Sequence, residues 1–300
     1  MVYLASAGLW SSLNVVVVSL LGLLLSIAYA NFLPPDVFGE YQFLLSLSAL
    51  VTAITLVGMN NAVTQAVARG FEGVLRESVR VQLLWNIVPI LGAILAAGYY
   101  YTQDNASLAI GLIIIAALAP ITSAFNTYSA YLAGKKDFLR SFLYVSLINA
   151  VYYTSIFFAV MHINQAAWLI LINLGTNAAT TIFVYWRTLR VYKPNNDVDT
   201  KAISYGKHLS IMASFGTIVT QLDSILVFHY LGAIELAIYT FATSIPERIA
   251  GLSKFISVAA LPKFSNRSSE TLKNGLLSKI LLSGSAGTVI AIAYFFLAPW

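Results

Sequence analysis

Apolar positions in this chain do not alternate with polar ones as in a half-buried strand. They form long continuous runs separated by short polar clusters. Nine runs can be drawn, at about 9–33, 41–65, 81–101, 106–133, 141–161, 166–186, 208–230, 236–262 and 276–298. About twenty apolar residues at 1.5 Å rise cross a bilayer core, so each run predicts a membrane-spanning helix. The fold class expected is therefore an all-α polytopic membrane protein.

Polar positions inside these runs are few, and they gather in the eighth. Residues 236–262, LAIYTFATSIPERIAGLSKFISVAALP, carry Glu247, Arg248 and Lys254. At 100° per residue, Thr240, Thr243, Ser244, Glu247, Gly251 and Lys254 fall in one stripe with Arg248 at its edge. Charges at bilayer depth cost about 2.5–3.5 kcal/mol each on the insertion scale, so they should face water or a partner. The stripe reads either as the lining of a polar passage or as an internal ion pair with Lys254 snorkelling to the surface. Asp223 in the seventh run is open to the same two readings. It would pair with Arg248, or exchange a proton or Na⁺ during a transport cycle.

Other runs carry milder polar stripes. Asn173, Asn177 and Thr180 share a face of the sixth, and Ser48, Thr52 and Thr55 one of the second. Asn126 with Tyr128 marks the fourth, and Asn149 with Tyr152 and Tyr153 the fifth. Small polar residues also join membrane helices to one another, so these positions are either ligand contacts or helix–helix contacts. Pro120 and Pro246 lie deep in runs and predict kinks.

The connections alternate in charge. Arg69, Arg76 and Arg80 lie in the second, Lys135, Lys136 and Arg140 in the fourth, five basic residues in the sixth, and Lys263, Arg267, Lys273 and Lys279 around the eighth. The intervening connections hold no Lys or Arg. By the positive-inside rule the amino terminus of this multi-pass protein is cytoplasmic; a family resemblance carried by residues 30–69 implies a bacterial or archaeal cytoplasmic membrane. Residues 69–80 read as a helix lying on that surface. The longest connection, 187–207, is rich in Pro, Asn and Asp and reads as a solvated cytoplasmic linker. It divides the chain into residues 1–186, a six-helix bundle, and residues 208–300, the first three spans of a second one.

Composition agrees, with 59% hydrophobic residues, 10% charged and a mean hydropathy of +0.79. The net charge of +5 is accounted for by the basic loops facing anionic lipid, without nucleic acid as a partner. With no cysteine there is no disulfide, thiolate nucleophile or thiolate metal site. Ala28-Tyr29-Ala30 mimics a signal-peptidase site, but no basic residue precedes the run and it is too long for a signal core. His162, His208 and His229 are scattered. Asp197-Val198-Asp199 matches the Asp-x-Asp of nucleotide-sugar transferases, yet its loop is too short to house a catalytic fold and reads as a turn. No metal, cofactor or enzyme activity is expected.

The chain also repeats itself. FLPPDVFGEYQFLLS (32–46) and YLGAIELAIYTFATS (230–244) match at an offset of 198, pairing Leu33 with Leu231, Tyr41 with Tyr239, Phe43 with Phe241 and Ser46 with Ser244. The same offset lays runs one to three on runs seven to nine. Six runs separate the copies, so the repeat is expected to be parallel, about an axis along the membrane normal. A full second half would bring the spans to twelve or more.

The stretch ANFLPPDVFGEYQFLLSLSALVTAITLVGMNNAVTQAVAR resembles the polysaccharide and O-antigen flippases of the multidrug/oligosaccharidyl-lipid/polysaccharide exporter superfamily. The resemblance rests on the Leu-Pro turn, Phe38-Gly39-x-Tyr41, Gly58 ahead of a polar stretch ending in Arg69, the Leu132-Ala133-Gly134-Lys135-Lys136 segment, and the half-repeat. Asn31 departs from it, because many members carry a basic residue there. The resemblance implies MATE-like pseudo-two-fold helical bundles around a central cavity. It implies alternating-access translocation of an undecaprenyl-pyrophosphate-linked oligosaccharide from the cytoplasmic to the outer leaflet. The substrate residues expected are Arg248, Lys254, Glu247 and Asp223, with Asn173, Asn177, Asn149, Tyr152, Thr240 and Ser244 secondary. Arg248 would meet the diphosphate, since guanidinium pairs with phosphate oxygens at any accessible pH. Membrane lipids and other polysaccharide-assembly proteins are the expected partners. Two other functions fit the residues less well. They are a cation-coupled drug antiporter, which favours a net negative cavity, and a membrane polymerase or ligase, which needs a large outer loop.

Overall fold

The computed structural model describes the backbone of residues 2–244 and the side chains of residues 17–244. Ten helices are assigned: α1 (Val2–Phe32), α2 (Pro35–Ile54), α3 (Met59–Ala68), α4 (Val74–Trp85), α5 (Ile87–Thr102), α6 (Ala106–Phe125), α7 (Thr127–Gly134), α8 (Phe138–His162), α9 (Ala166–Tyr192) and α10 (Thr200–Leu231). Residues 233–244 are helical again. No strand occurs among the described residues, and six helical segments there are long and apolar enough to cross a membrane. The chain is an all-α polytopic membrane protein.

Local chemistry explains where the helices start and stop. Pro35 sits in the first turn of α2, where its missing N–H costs nothing. Asn105, Asp137 and Asp199 cap α6, α8 and α10, accepting from Leu108 N (3.0 Å), Arg140 N (3.1 Å) and Lys201 N (3.0 Å). Gly232, at φ 102°, ends α10 in a conformation that favours glycine. On α9, Trp168 and Trp186 protrude about 27 Å apart at 1.5 Å per residue, the spacing of the two interfacial aromatic belts. The Arg190 guanidinium covers the Trp186 ring at 5.4 Å.

Three of the expected spans are not continuous. The second breaks at residues 55–58 into α2 and α3, the third at Asn86 into α4 and α5, and the fourth at Asn126 into α6 and α7. Pro89 has no N–H for the Trp85 carbonyl, which accounts for the second of these breaks. The helix expected on the membrane surface over 69–80 is also different. After a turn at 69–73, α4 runs on through the Asn86 bend into α5.

The buried apolar residues split accordingly into two clusters. One joins α1, α2, α5, α6, α8, α9 and the helix after Gly232, around Tyr41, Phe43, Leu44 and Ile115. The other, nearer the end bearing the basic loops, joins α3, α4, α7, α9 and α10 around Met59, Leu75, Tyr131 and Val184. The helix breaks lie where the two meet.

At the far end the repeat is visible in the helix boundaries. Helices restart at Pro35 and at residue 233, one repeat offset apart. Phe38 stacks on Phe241 at 4.6 Å, so the two matching segments pack on each other, and Phe43 stacks on Phe228 of α10 at 3.9 Å.

The connection expected to be a solvated linker is shorter and docked. Helix α9 continues to Tyr192 and α10 begins at Thr200, leaving 193–199 between them. That loop bonds the 69–76 turn through Gly73 N–H to Asp197 O (3.0 Å), Asn195 Nδ2 to Gly70 O (2.9 Å), and Arg76 to Asn196 Oδ1 (2.9 Å). Arg69 pairs with Asp199 at 2.8 Å. Asp199 is thus both helix cap and ion-pair partner, which accounts for one carboxylate of the Asp-x-Asp.

Glu72 closes the same corner, accepting from Lys135 Nζ and from Tyr131 OH (2.7 Å). Burial pushes its carboxyl up, but the Lys135 and Tyr131 bonds outweigh this and hold it below its ordinary value of 4.5. A depressed carboxylate adds stability above its unfolded pKa and loses it as pH falls through the folded one. Glu72→Gln should therefore melt below the wild type at neutral pH, and the gap should shrink as pH falls below the ordinary value of 4.5 and close below the lowered folded one. A gap that persists at low pH would show that the carboxylate charge is not what matters there.

Candidate functional site

The three helix breaks free backbone groups inside the membrane-spanning region, and side chains satisfy them. Trp85 Nε1–H donates to Ile54 O at 3.1 Å, and Asn86 Nδ2–H to Pro120 O at 3.2 Å. Thr127 Oγ1–H donates to Ala124 O at 2.6 Å and accepts from Gln82 Nε2 at 3.0 Å. Thr55 and Ser123 share a hydrogen bond of 2.5 Å that joins the break of α2 to α6. A polar belt thus ties the three breaks to one level, about 12–18 Å from the basic end at 1.5 Å per residue.

A cavity of about 520 Å³ opens beside that belt. The breaks supply Thr52, Val57, Asn60, Thr122, Ser123 and Asn126; helices α8, α9 and α10 close it with Asn149, Asn177, Thr181 and Thr217. Apolar patches come from Val145 and Ile148. Its volume lies within the ~300–1,000 Å³ of small-ligand sites. No described lining residue is an acid or a base. The Asn60 Oδ1 atom is out of contact with solvent and accepts no hydrogen bond. Leaving such an atom unmet costs about 1–3 kcal/mol.

The expected site residues divide between two settings and a third group. Asn149 and Asn177 line the cavity. Asn173 and Tyr152 do not: Asn173 Nδ2 donates to Tyr41 OH (2.6 Å) and to Tyr152 OH (3.2 Å), and Tyr41 lies 3.5 Å from Tyr29 OH. That cluster is packed between α1, α2, α8 and α9, so it joins helices. Asp223 is exposed and accepts from Tyr239 OH at 2.5 Å, Tyr239 being the repeat counterpart of Tyr41. Thr240 and Ser244 return their hydroxyls to the Leu236 and Phe241 carbonyls of their own helix. Arg248, Lys254 and Glu247 lie outside the described residues, as does Pro246.

Sequence reasoning missed Asn60, Thr122 and Ser123, whereas Asn126 and Tyr128, marked in the fourth run, do line the cavity. The signals were present: Gly58-Met59-Asn60-Asn61 and Pro120 interrupt otherwise apolar runs. What linear patterning lacks is the fact that the interruptions meet.

A protein-family model described as "Polysaccharide biosynthesis protein" matches residues 4–268. The chain belongs to this family. It is the family of polysaccharide and O-antigen flippases whose signature the stretch around Phe38-Gly39-x-Tyr41 resembles. Membership carries a general role in polysaccharide transport and makes this polysaccharide biosynthesis protein a multi-pass membrane protein. Comparison with curated proteins and with solved structures finds no significant match.

Proposed function

We propose that this chain is an alternating-access flippase that carries an undecaprenyl-pyrophosphate-linked oligosaccharide from the cytoplasmic to the outer leaflet. One observation supports the reading most: a cavity whose described lining is rich in amides and hydroxyls, built inside the membrane-spanning region of a polysaccharide biosynthesis protein. Glycan hydroxyls need such partners, because an unmet hydroxyl in an apolar medium costs several kcal/mol. The lipid tail needs none and stays in the bilayer. The diphosphate is assigned to Arg248, with Lys254 nearer the side of synthesis. Glu247 would hold Arg248 when the site is empty. The activity is transport, with no covalent step on the glycan. The alternation of basic and non-basic loops supports a cytoplasmic amino terminus.

The test is complementation of a strain lacking its own flippase. Asn149→Leu with Asn177→Leu should accumulate normally and lower surface polysaccharide by about tenfold or more, the worth of two lost amide hydrogen bonds. In the same cells, a cysteine replacing Asp104 should react with an impermeant thiol reagent from outside, which reports the orientation. Wild-type polysaccharide from the double variant at wild-type protein level removes the cavity from the transport path.

A further inference from the structure

We infer that a second pocket, between α3 and α10, holds the phosphate of an anionic phospholipid, a role that does not depend on the transport reading. The pocket measures about 250 Å³ and is lined by the polar side chains of Gln65, Arg69, Asp199, Lys201 and Tyr205. Asp199 is the one acid of this described lining, and its oxygens are engaged. Oδ1 accepts from the Lys201 and Ala202 N–H groups at 3.0 and 3.3 Å, and Oδ2 from Arg69 Nη2 at 2.8 Å. Arg69 Nε–H donates to Gln65 O at 3.3 Å. These two bonds fix the guanidinium plane, and Nη1 carries two further N–H donors. With the Lys201 ammonium, the Gln65 amide and the Tyr205 hydroxyl, they form a donor set of the kind phosphate oxygens require. Arg69 and Lys201 against Asp199 leave one positive charge in excess, the complement of a phosphodiester.

Depth favours a lipid over a free anion. Counted from the helix ends that 193–199 joins, Tyr205 lies five residues into α10, and Trp186 six residues before the end of α9. These are about 7.5 and 9 Å at 1.5 Å per residue. Trp186 marks the aromatic belt at this interface, and Tyr205 is exposed near the same depth. Lys201 is one turn nearer the loop end, at headgroup level, where basic pockets between membrane helices meet lipid phosphates. It is also the second residue of α10, a position at which a cation works against the helix dipole. A bound anion offsets that opposition.

The experiment uses the full chain in detergent micelles and reads binding of the first added lipid by native mass spectrometry. The probes are phosphatidylglycerol, zwitterionic phosphatidylcholine, and farnesyl diphosphate, a lipid with a second phosphate. Phosphatidylglycerol should bind about fivefold more tightly than phosphatidylcholine, the contribution of one basic residue near a membrane surface. Lys201→Gln should lower phosphatidylglycerol affinity about fivefold and melt no lower than the wild type in phosphatidylcholine. Arg80→Gln removes the same charge from α4, outside the pocket, and should change that affinity by less than about twofold. Farnesyl diphosphate should bind no more tightly than phosphatidylglycerol, because Asp199 faces its extra charge. Equal affinity for the two phospholipids overturns the site, and so does unchanged phosphatidylglycerol binding by Lys201→Gln. An equal loss in Lys201→Gln and Arg80→Gln also overturns it, since that is general attraction to basic loops. Farnesyl diphosphate binding more than about tenfold tighter assigns the pocket to a diphosphate carrier and overturns the phospholipid.

Discussion

Gly58→Ala and Gly39→Ala are each expected to leave a protein that melts well below the wild type and accumulates poorly. A Cβ on Gly58 would stand 2.5 Å from Ser210 N and 2.7 Å from Leu209 C, both backbone atoms of α10. On Gly39 it would stand 1.8 Å from the Ala233 carbonyl oxygen. Backbone cannot step aside as a side-chain tip can, so α10 must move away from Gly58, and the helix after Gly232 away from α2. Overpacking of this kind costs about 1–3 kcal/mol and more where backbone is the obstacle. For a chain of this size that is a fall of about 2–4 °C in melting temperature for each kcal/mol. Helix α5 supplies the control, since a Cβ on Gly92 or Gly98 meets nothing within 4 Å. Alanine there should be neutral or stabilising by up to ~1 kcal/mol through helix propensity. Equal melting of Gly58→Ala and Gly98→Ala would mean that α10 is not held at this close approach.

The second large effect separates the two asparagines that the sixth run places on one face. Asn173→Leu should lower the yield and melting temperature of the protein, whereas Asn177→Leu should spare both and reduce transport. Asn173 is buried and its single amide serves two phenols, Tyr41 and Tyr152. Leucine there removes a donor from both hydroxyls and leaves Tyr41 only its 3.5 Å contact with Tyr29, a loss of about 1–3 kcal/mol. Adding Tyr41→Phe to Asn173→Leu should recover part of the loss, because removing both partners costs less than orphaning one. Asn177 instead lines the cavity and accepts from Thr181 Oγ1 at 3.2 Å within its own helix. A melting temperature unchanged by Asn173→Leu, with transport lost, would return Asn173 to the list of ligand contacts.

Helix existence was legible along the described chain because bilayer thickness imposes it. A run of twenty apolar residues has few ways to satisfy its backbone in hydrocarbon, and the helix is the one available within a single segment. Helix continuity was not legible. Thr52 and Thr55 in α2, or Thr122 in α6, look like ordinary tolerated hydroxyls on a linear plot. Their breaks are stable only because Gln82, Trp85, Asn86 and Ser123 arrive from other helices to satisfy the freed groups. The linker at 187–207 shows the same limit. Its composition is that of a solvated loop, and the docking of 193–199 depends on Gly73 allowing backbone contact across the corner.

What the sequence alone determined, then, was the membrane class, the helix periods, the family and the repeat, since each rests on local hydropathy or on residue identity in a contiguous stretch. Tertiary structure decided which polar residues act together. Asn173 and Asn177 are four apart on one helix and share a face by geometry, yet one meets two tyrosines and the other a cavity. The difference is made by what α2 and α8 present opposite each of them. Those contacts join different helices, Tyr41 lying 132 positions from Asn173 and Tyr152 lying 21, and no periodicity within a helix encodes its neighbour.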